Sequence, residues 1–117
     1  MIDLSFQLKL EMFMQLKAAE AKQLYLDKIE AQLEKLEARI DELRAKTVQA
    51  KATAKIKYYD KIEALTAKQK EAEFKLQVLK STSEDAWQRV KVDVESALHE
   101  LQNAFNDALA QFKQSDL

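Results

Sequence analysis

Apolar residues recur in alternating steps of four and three along most of the chain. This spacing starts at Ile29 and is typical of a coiled-coil seam, in which one stripe of each helix packs against a partner helix. An extra step of four falls between Thr47 and Tyr58, and we interpret it as a local relaxation of the supercoil within one helix. The predicted packing residues are Ile29, Leu33, Leu36, Ile40, Leu43, Tyr58, Ile62, Leu65, Leu76, Leu79, Trp87, Val90, Leu101 and Phe105.

The clearest break in the pattern is the polar run at residues 81–85, Ser-Thr-Ser-Glu-Asp. Ser81 and Glu84 have the spacing of a capping box, and acidic residues favour a helix N-terminus. We therefore expect the chain to fold back here into an antiparallel helical hairpin. The alternative is one continuous helix on which these residues form a solvated face.

Helix lengths then bear on assembly. A helix over residues 22–80 would be about 88 Å long, whereas one over residues 83–113 would be about 47 Å. The shorter helix would leave the seam around residues 29–43 in water, which predicts a homo-oligomer, most simply an antiparallel dimer. A turn near residues 45–53 would instead give a three-helix bundle, but the alanine-rich sequence there favours continuous helix.

The first sixteen residues follow a different pattern, because nearly every second residue is apolar. This period is typical of a strand, while the residue types favour a helix with apolar groups on all sides, and both interpretations remain open. Either conformation requires a partner surface. The chain thus divides into an assembly segment (1–21), a long coiled-coil helix (22–80) and a returning helix (81–117). The predicted assembly residues are Ile2, Leu4, Phe6, Leu8 and Leu10.

Composition supports an all-α fold. The 117 residues include no glycine, proline or cysteine, so the usual residues that end or kink helices are missing. The fold class we predict is a long antiparallel helical hairpin or coiled coil within an oligomeric helical bundle. Cysteine chemistry is excluded, and no apolar run is long enough to predict a membrane-spanning helix.

The charge balance gives little reason to expect a nucleic-acid partner. Nineteen basic residues against twenty acidic ones leave a formal charge of −1. Residues 44–57 hold five cations and no carboxylate, and residues 81–117 hold seven carboxylates and three cations. We expect the final helix to neutralise the basic stretch, so nucleic-acid binding through Arg44 to Lys57 is the weakest of the binding hypotheses.

No motif in the sequence predicts catalysis. His99 is the only histidine, and without cysteine or a second histidine it does not indicate a metal site. The neighbouring acids Asp41 and Glu42, or Glu84 and Asp85, lack any predicted pocket that would separate their pKa values. We therefore predict no catalytic, cofactor-binding or metal-binding residues, no cofactor and no enzymatic activity.

Several phrases between residues 22 and 113 resemble a family of small bacterial coiled-coil proteins that are described as stress-response proteins. They are Ile56-Lys57-Tyr58-Tyr59, Ile62-Glu63-Ala64-Leu65, Ala72-Glu73-Phe74-Lys75-Leu76, Leu79-Lys80, Ser83-Glu84-Asp85-Ala86-Trp87, Val94-Glu95 and Leu101-Gln102-Asn103-Ala104-Phe105. The resemblance implies a cytoplasmic, stress-associated helical protein and carries no catalytic residues. The apolar start of this chain departs from the polar beginning of such proteins.

Two classes of function follow from the sequence. The first is a non-enzymatic coiled-coil protein that associates with itself, or with a protein client, through long helical faces. The second is a protein that covers a lipid or hydrophobic-granule surface with its first residues and its last amphipathic helix. The sequence does not choose the oligomer number, the helix orientation, or the client.

Overall fold

The computed structural model describes residues 4–115, and these form an all-α, elongated bundle of three helices, each antiparallel to the next along the chain. The helices are α1 (Leu4–Val48), α2 (Ala52–Lys80) and α3 (Trp87–Ser115). The molecule measures 79 × 18 × 17 Å. The predicted class, an antiparallel helical and coiled-coil-like fold, is therefore confirmed, while the number of helices differs from the prediction.

The side-chain contacts fix the register of the three helices. Lys80 Nζ of α2 donates to Glu30 of α1 at 2.8 Å, and the Tyr58 ring of α2 stacks on Phe112 of α3 at 4.0 Å. Tyr25 of α1 meets Trp87 at the start of α3, with ring centroids 5.5 Å apart. Thus α2 runs antiparallel to both neighbours, and α1 and α3 run parallel.

The core is a single stripe along the bundle axis, and it coincides with the predicted seam. Every predicted packing residue from Ile29 to Phe105 is buried, apart from the half-buried Val90. Thr47 is fully buried as well, because its hydroxyl donates to the Leu43 carbonyl at 2.9 Å and so leaves no unpaired polar hydrogen. The heptad pattern therefore selects the correct face of each helix.

The chain reverses direction between α1 and α2, and this corrects the predicted continuous helix over residues 22–80. The backbone N–H groups of Gln49 and Ala50 donate to the carbonyls three residues earlier, those of Lys46 and Thr47, as in a 3₁₀ turn. Lys51 then adopts an extended conformation at φ −64° and ψ 150°. One extended residue is enough to end the α-helical ladder. The three-helix bundle, which alanine content disfavoured, is the architecture that forms.

The second turn lies at residues 81–86, where the sequence predicted a break, but the capping box does not form. The Ser81 and Thr82 hydroxyls donate backwards to the Val78 carbonyl, and the Glu84 carboxylate binds Lys22 instead. Ser81 thus ends α2 rather than starting α3. Neither turn within residues 4–115 uses a positive φ angle, which explains how the chain turns twice without glycine.

This topology overturns the length argument for a homo-oligomer. Because α2 folds back on α1, the stretch around residues 29–43 is covered by the same chain: Ile40 is fully buried and Leu36 is 4 % exposed. A second copy is not required to cover it. Any argument for self-association must rest on other surfaces.

Residues 4–21 form the first part of α1 and extend beyond the end of the bundle; we call them the N-terminal projection. The strand alternative is wrong for the described residues, because α1 is helical from Leu4 onward. The predicted assembly residue Ile2 lies outside the described residues. At about 1.5 Å per residue the projection is about 27 Å long.

Candidate interaction surface

The N-terminal projection is the largest exposed apolar surface in the described chain. Its large apolar side chains are each between 44 % and 80 % exposed. Isolated exposed apolar residues are ordinary on protein surfaces, whereas large contiguous sets are typical of interaction surfaces, so the projection is the candidate surface. The residues are Leu4, Phe6, Leu8, Leu10, Met12, Phe13, Met14 and Leu16.

The apolar groups cover more than one side of the projection. Leu4, Leu8, Met12 and Leu16 follow one another at intervals of four and form one row along the helix. Phe6, Leu10 and Met14 form a second row, displaced from the first by about 200° around the axis. A helix that is apolar on opposite sides is stable only when it is enclosed, so the projection needs neighbours on at least two sides.

The projection leaves the bundle beside a cluster of aromatic and charged side chains. The Lys22 ammonium lies 5.3 Å from the Trp87 ring centroid and binds Glu84 at 2.9 Å. Lys91 lies 4.5 Å from the Tyr25 ring. These cation–π contacts and the ion pair join α1 to the start of α3, so the base of the projection is held at a defined position.

Tyr25 is part of the same cluster, through its hydroxyl. Tyr25 Oη donates to Glu95 of α3 at 2.7 Å. Burial, followed by the hydrogen bond and the charge of Glu95, raises the pKa of Tyr25 well above its ordinary value. The phenol therefore stays a hydrogen-bond donor at any physiological pH. This is a structural contact rather than an acid or base for chemistry.

A pair of carboxyls between α1 and α2 was missed by the sequence analysis. A hydrogen bond with Glu73 raises the pKa of Glu37 to about 7, with burial and the charges of Glu73, Glu34 and Asp41 adding to the effect. The same hydrogen bond lowers the pKa of Glu73. Only the three-dimensional register brings these two acids together, since they lie 36 positions apart in the sequence.

The basic stretch at residues 44–57 lies at the opposite end of the bundle from the projection. Arg44 binds Asp41 within α1 and donates to Thr66 of α2 at 2.8 Å. Within the described residues, no carboxylate of α3 lies within 4 Å of a cation of this stretch, and the expected neutralisation by α3 stays a prediction. Glu100 instead lies 4.0 Å from Lys68, and Asp107 lines a groove with Lys61.

The residue types considered for chemistry are His99 and the acidic side chains. His99 is exposed, and its Nε2 lies 3.2 Å from Asn103 Nδ2 along an open groove between α1 and α3. Within the described part of the chain, no group of three or more histidine, cysteine or acidic side chains is placed to hold a metal ion. Searching the same residues for a helix long and apolar enough to cross a bilayer also found none.

The structure separates the predicted packing and assembly residues into two groups. Those from Ile29 to Phe105 lie inside the bundle of a single chain, so they stabilise the fold and offer little surface to a partner. Leu4, Phe6, Leu8 and Leu10 are exposed on the projection. The same exposed apolar surface also includes Met12, Met14 and Leu16, which continue the alternating pattern of the sequence, and Phe13, which interrupts it.

Comparison with known proteins gives no family for this chain. No family model matches it, and no curated protein or solved structure shows significant similarity to it.

Proposed function

We propose that this protein is a non-enzymatic coiled-coil interaction protein whose N-terminal projection associates with projections of other copies. The observation that carries the proposal is the exposure of eight large apolar side chains on a helix that extends from an already complete core. Because the bundle buries its own seam, the projection contributes little to the stability of the single chain. Its apolar surface is explained by association.

The distribution of apolar groups favours other helices over a lipid surface as the partner. A helix that lies in a membrane interface presents one apolar side to the lipid and one polar side to water. The projection instead has apolar rows on opposite sides, and these are enclosed when several helices pack around one another. Its Lys9, Glu11, Lys17 and Glu20 supply charges of both signs, which suits pairing between identical segments.

The resemblance to small bacterial stress-response proteins supports a cytoplasmic, stress-associated setting for this assembly. The long helical faces of the described chain support a scaffold role. A protein client that supplies matching apolar helices could occupy the same surface, and it would then compete with self-association.

The proposal is tested by light-scattering mass after size exclusion, on the full chain and on a chain without residues 1–16. We expect the full chain to form a discrete oligomer of the 13.5 kDa subunit and the shortened chain to be monomeric. Among the described residues, the deletion removes 4–16, which lie outside the core, so the helical content of the bundle is expected to persist. Circular dichroism checks that it does.

A substitution variant of the full chain provides a matched control. Leu8→Gln, Met12→Gln and Leu16→Gln together remove one apolar row and are expected to dissociate the oligomer. Lys28→Gln, Lys35→Gln and Glu42→Gln change three exposed charged residues of α1 outside the projection and should leave the oligomer intact. A full-length monomer at protein concentrations on the order of 100 μM would overturn the proposal, since apolar burial of this extent should outweigh the entropy of association.

A further inference from the structure

The outer face of α2 carries a second set of exposed apolar residues. Ile56 is 73 % exposed and Phe74 is 67 % exposed, and Tyr59 and Val78 flank them. Outside the N-terminal projection, the other exposed large apolar residues in the described chain are spread over α1 and α3, at Leu24, Val48 and Val92. The middle helix is therefore unusual in having apolar groups on the side that faces water.

Ile56 and Phe74 stand at the two ends of a row of heptad-spaced positions on the side of α2 opposite the buried seam; we call this row the outer seam. Its steps are four, three, four, three and four, the same alternation that defines the core seam. All six positions are exposed. The residues of this outer seam are Ile56, Asp60, Glu63, Ala67, Lys70 and Phe74.

The outer seam is complementary to itself when two copies run antiparallel. In antiparallel coiled coils, first-position residues of one helix face fourth-position residues of the other. Pairing the seam about its centre, residue 65, places Ile56 opposite Phe74 of the second copy and Asp60 opposite Lys70 of the second copy. Glu63 falls opposite Ala67. The two outer pairs on each side of the centre are therefore favourable: one is apolar against apolar, and the other joins opposite charges.

We propose that the outer seam of α2 is a two-fold interface between two copies of this chain. The inference extends the proposed function, self-association, to a surface separate from the N-terminal projection. Parallel pairing would place Asp60 against Asp60 and Lys70 against Lys70, so charge selects the antiparallel arrangement. The alanine at position 67 and its neighbour Ala64, both exposed, permit close approach at the centre.

Charged residues within the seam make this interface weaker than the core seam. Polar groups at seam positions specify register and orientation, and they lower stability relative to apolar residues at the same positions. The interface therefore forms reversibly, and we expect it to dissociate at the dilution reached in size exclusion, where the chain without residues 1–16 is still expected to be monomeric. Each chain thus has two separate association surfaces, the projection at one end of the bundle and the outer seam along the side of α2.

Crosslinking through one introduced thiol measures the α2 interface independently of the projection. The chain contains no cysteine, so Ala67→Cys in the full chain gives a single reactive site near the two-fold axis. A short bismaleimide spans the separation of about 8–10 Å between packed helix axes. We expect a covalent dimer from Ala67→Cys. The control Ala38→Cys, on the exposed side of α1, should give little.

Charge reversal then tests the register. In the Ala67→Cys chain, either Asp60→Lys or Lys70→Asp alone places like charges opposite each other across the interface. Each should reduce the yield of crosslinked dimer about fivefold. An equimolar mixture of the two variants restores opposite charges in every mixed pair, so the dimer should return. Lys28→Asp, an equal charge change on an exposed residue of α1, should leave crosslinking unchanged.

The outcomes distinguish this inference from the proposed function. No crosslinking of Ala67→Cys, or no recovery in the mixture, overturns the α2 interface even if light scattering shows an oligomer held by the projection. Crosslinking that persists in a chain carrying Leu8→Gln, Met12→Gln and Leu16→Gln supports the α2 interface on its own. Crosslinking lost in that chain shows that contact at α2 depends on the projection, which overturns an autonomous two-fold interface.

Discussion

The hydrogen bond between Glu37 of α1 and Glu73 of α2 raises the pKa of Glu37 and lowers that of Glu73, and this makes stability depend on pH. Folding raises the pKa of Glu37 from 4.5 to about 7, so its favourable contribution is present at low pH and is lost as the pH rises toward 7 and beyond. The pKa of Glu73 is lowered by its hydrogen bond with Glu37, and Lys70 adds to the effect. Its contribution is lost as the pH falls below the ordinary carboxyl range. Between pH 6 and 8 the Glu37 effect dominates.

We predict that Glu37→Gln abolishes the decrease in unfolding free energy between pH 6 and 8. The amide donates to Glu73 without titrating and removes the repulsion between two carboxylates. Since both side chains are partly exposed, the gain at pH 8 should be on the order of 0.5 kcal/mol. Urea unfolding at the two pH values measures it. The control Glu42→Gln, on the exposed side of α1, should show the same fall in unfolding free energy between pH 6 and 8 as the unmodified chain. If both variants lost this fall equally, Glu37 would not be its cause.

Buried side chains are expected to contribute far more to the stability of the bundle than exposed ones. Leu101 is fully buried between the helices, whereas Val92 on the same helix is 61 % exposed. We predict that Leu101→Ala lowers the unfolding free energy by about 2–5 kcal/mol, through lost burial and a cavity. Val92→Ala should change it by less than about 0.5 kcal/mol. Thermal or chemical denaturation gives both values, and similar losses would mean that the core is not where the structure has it.

At the scale of elements, the turn at Lys51 provides a sharp test of the fold. Lys51 is extended and Ala52 is the first residue of α2; proline suits that position, and the residue before proline prefers an extended conformation. We predict that Ala52→Pro is neutral or stabilising by up to about 1 kcal/mol. Ala45→Pro, inside α1, should cost about 3 kcal/mol or more. Denaturant midpoints compare the two, and equal large losses would indicate continuous helix through residue 52.

The sequence identified the buried face of each helix but not the first chain reversal. A heptad pattern depends only on which residues are apolar, so Ile29 to Phe105 could be assigned directly. The shifted spacing between Thr47 and Tyr58 has two physical causes, a relaxed supercoil or a turn, and both keep apolar residues on the inside. Without glycine or proline nothing local distinguished them. The Glu37–Glu73 pair was beyond prediction for the same reason, because it depends on that turn.

For the whole molecule, association through the projection should produce a long particle. Two copies of a 79 Å molecule that overlap antiparallel along their projections, each about 27 Å, would extend about 130 Å. We predict a maximum dimension near that value in small-angle scattering. With Leu8→Gln, Met12→Gln and Leu16→Gln it should return to about 80 Å at protein concentrations low enough to dissociate the α2 interface. A compact particle with an unchanged maximum dimension would contradict end-to-end association and favour side-by-side packing of the bundles.

The unbroken course of α1 has a mechanical consequence. From Leu4 to Val48 it is one helix without glycine or proline. The projection and the bundle are therefore connected rigidly, because both are parts of the same uninterrupted helix. A joint made by the projections would therefore hold the bundles at a fixed spacing instead of letting them swing on a linker. Molecules bound at the two ends of such an assembly, away from the projections, would therefore be held at a constant distance from each other.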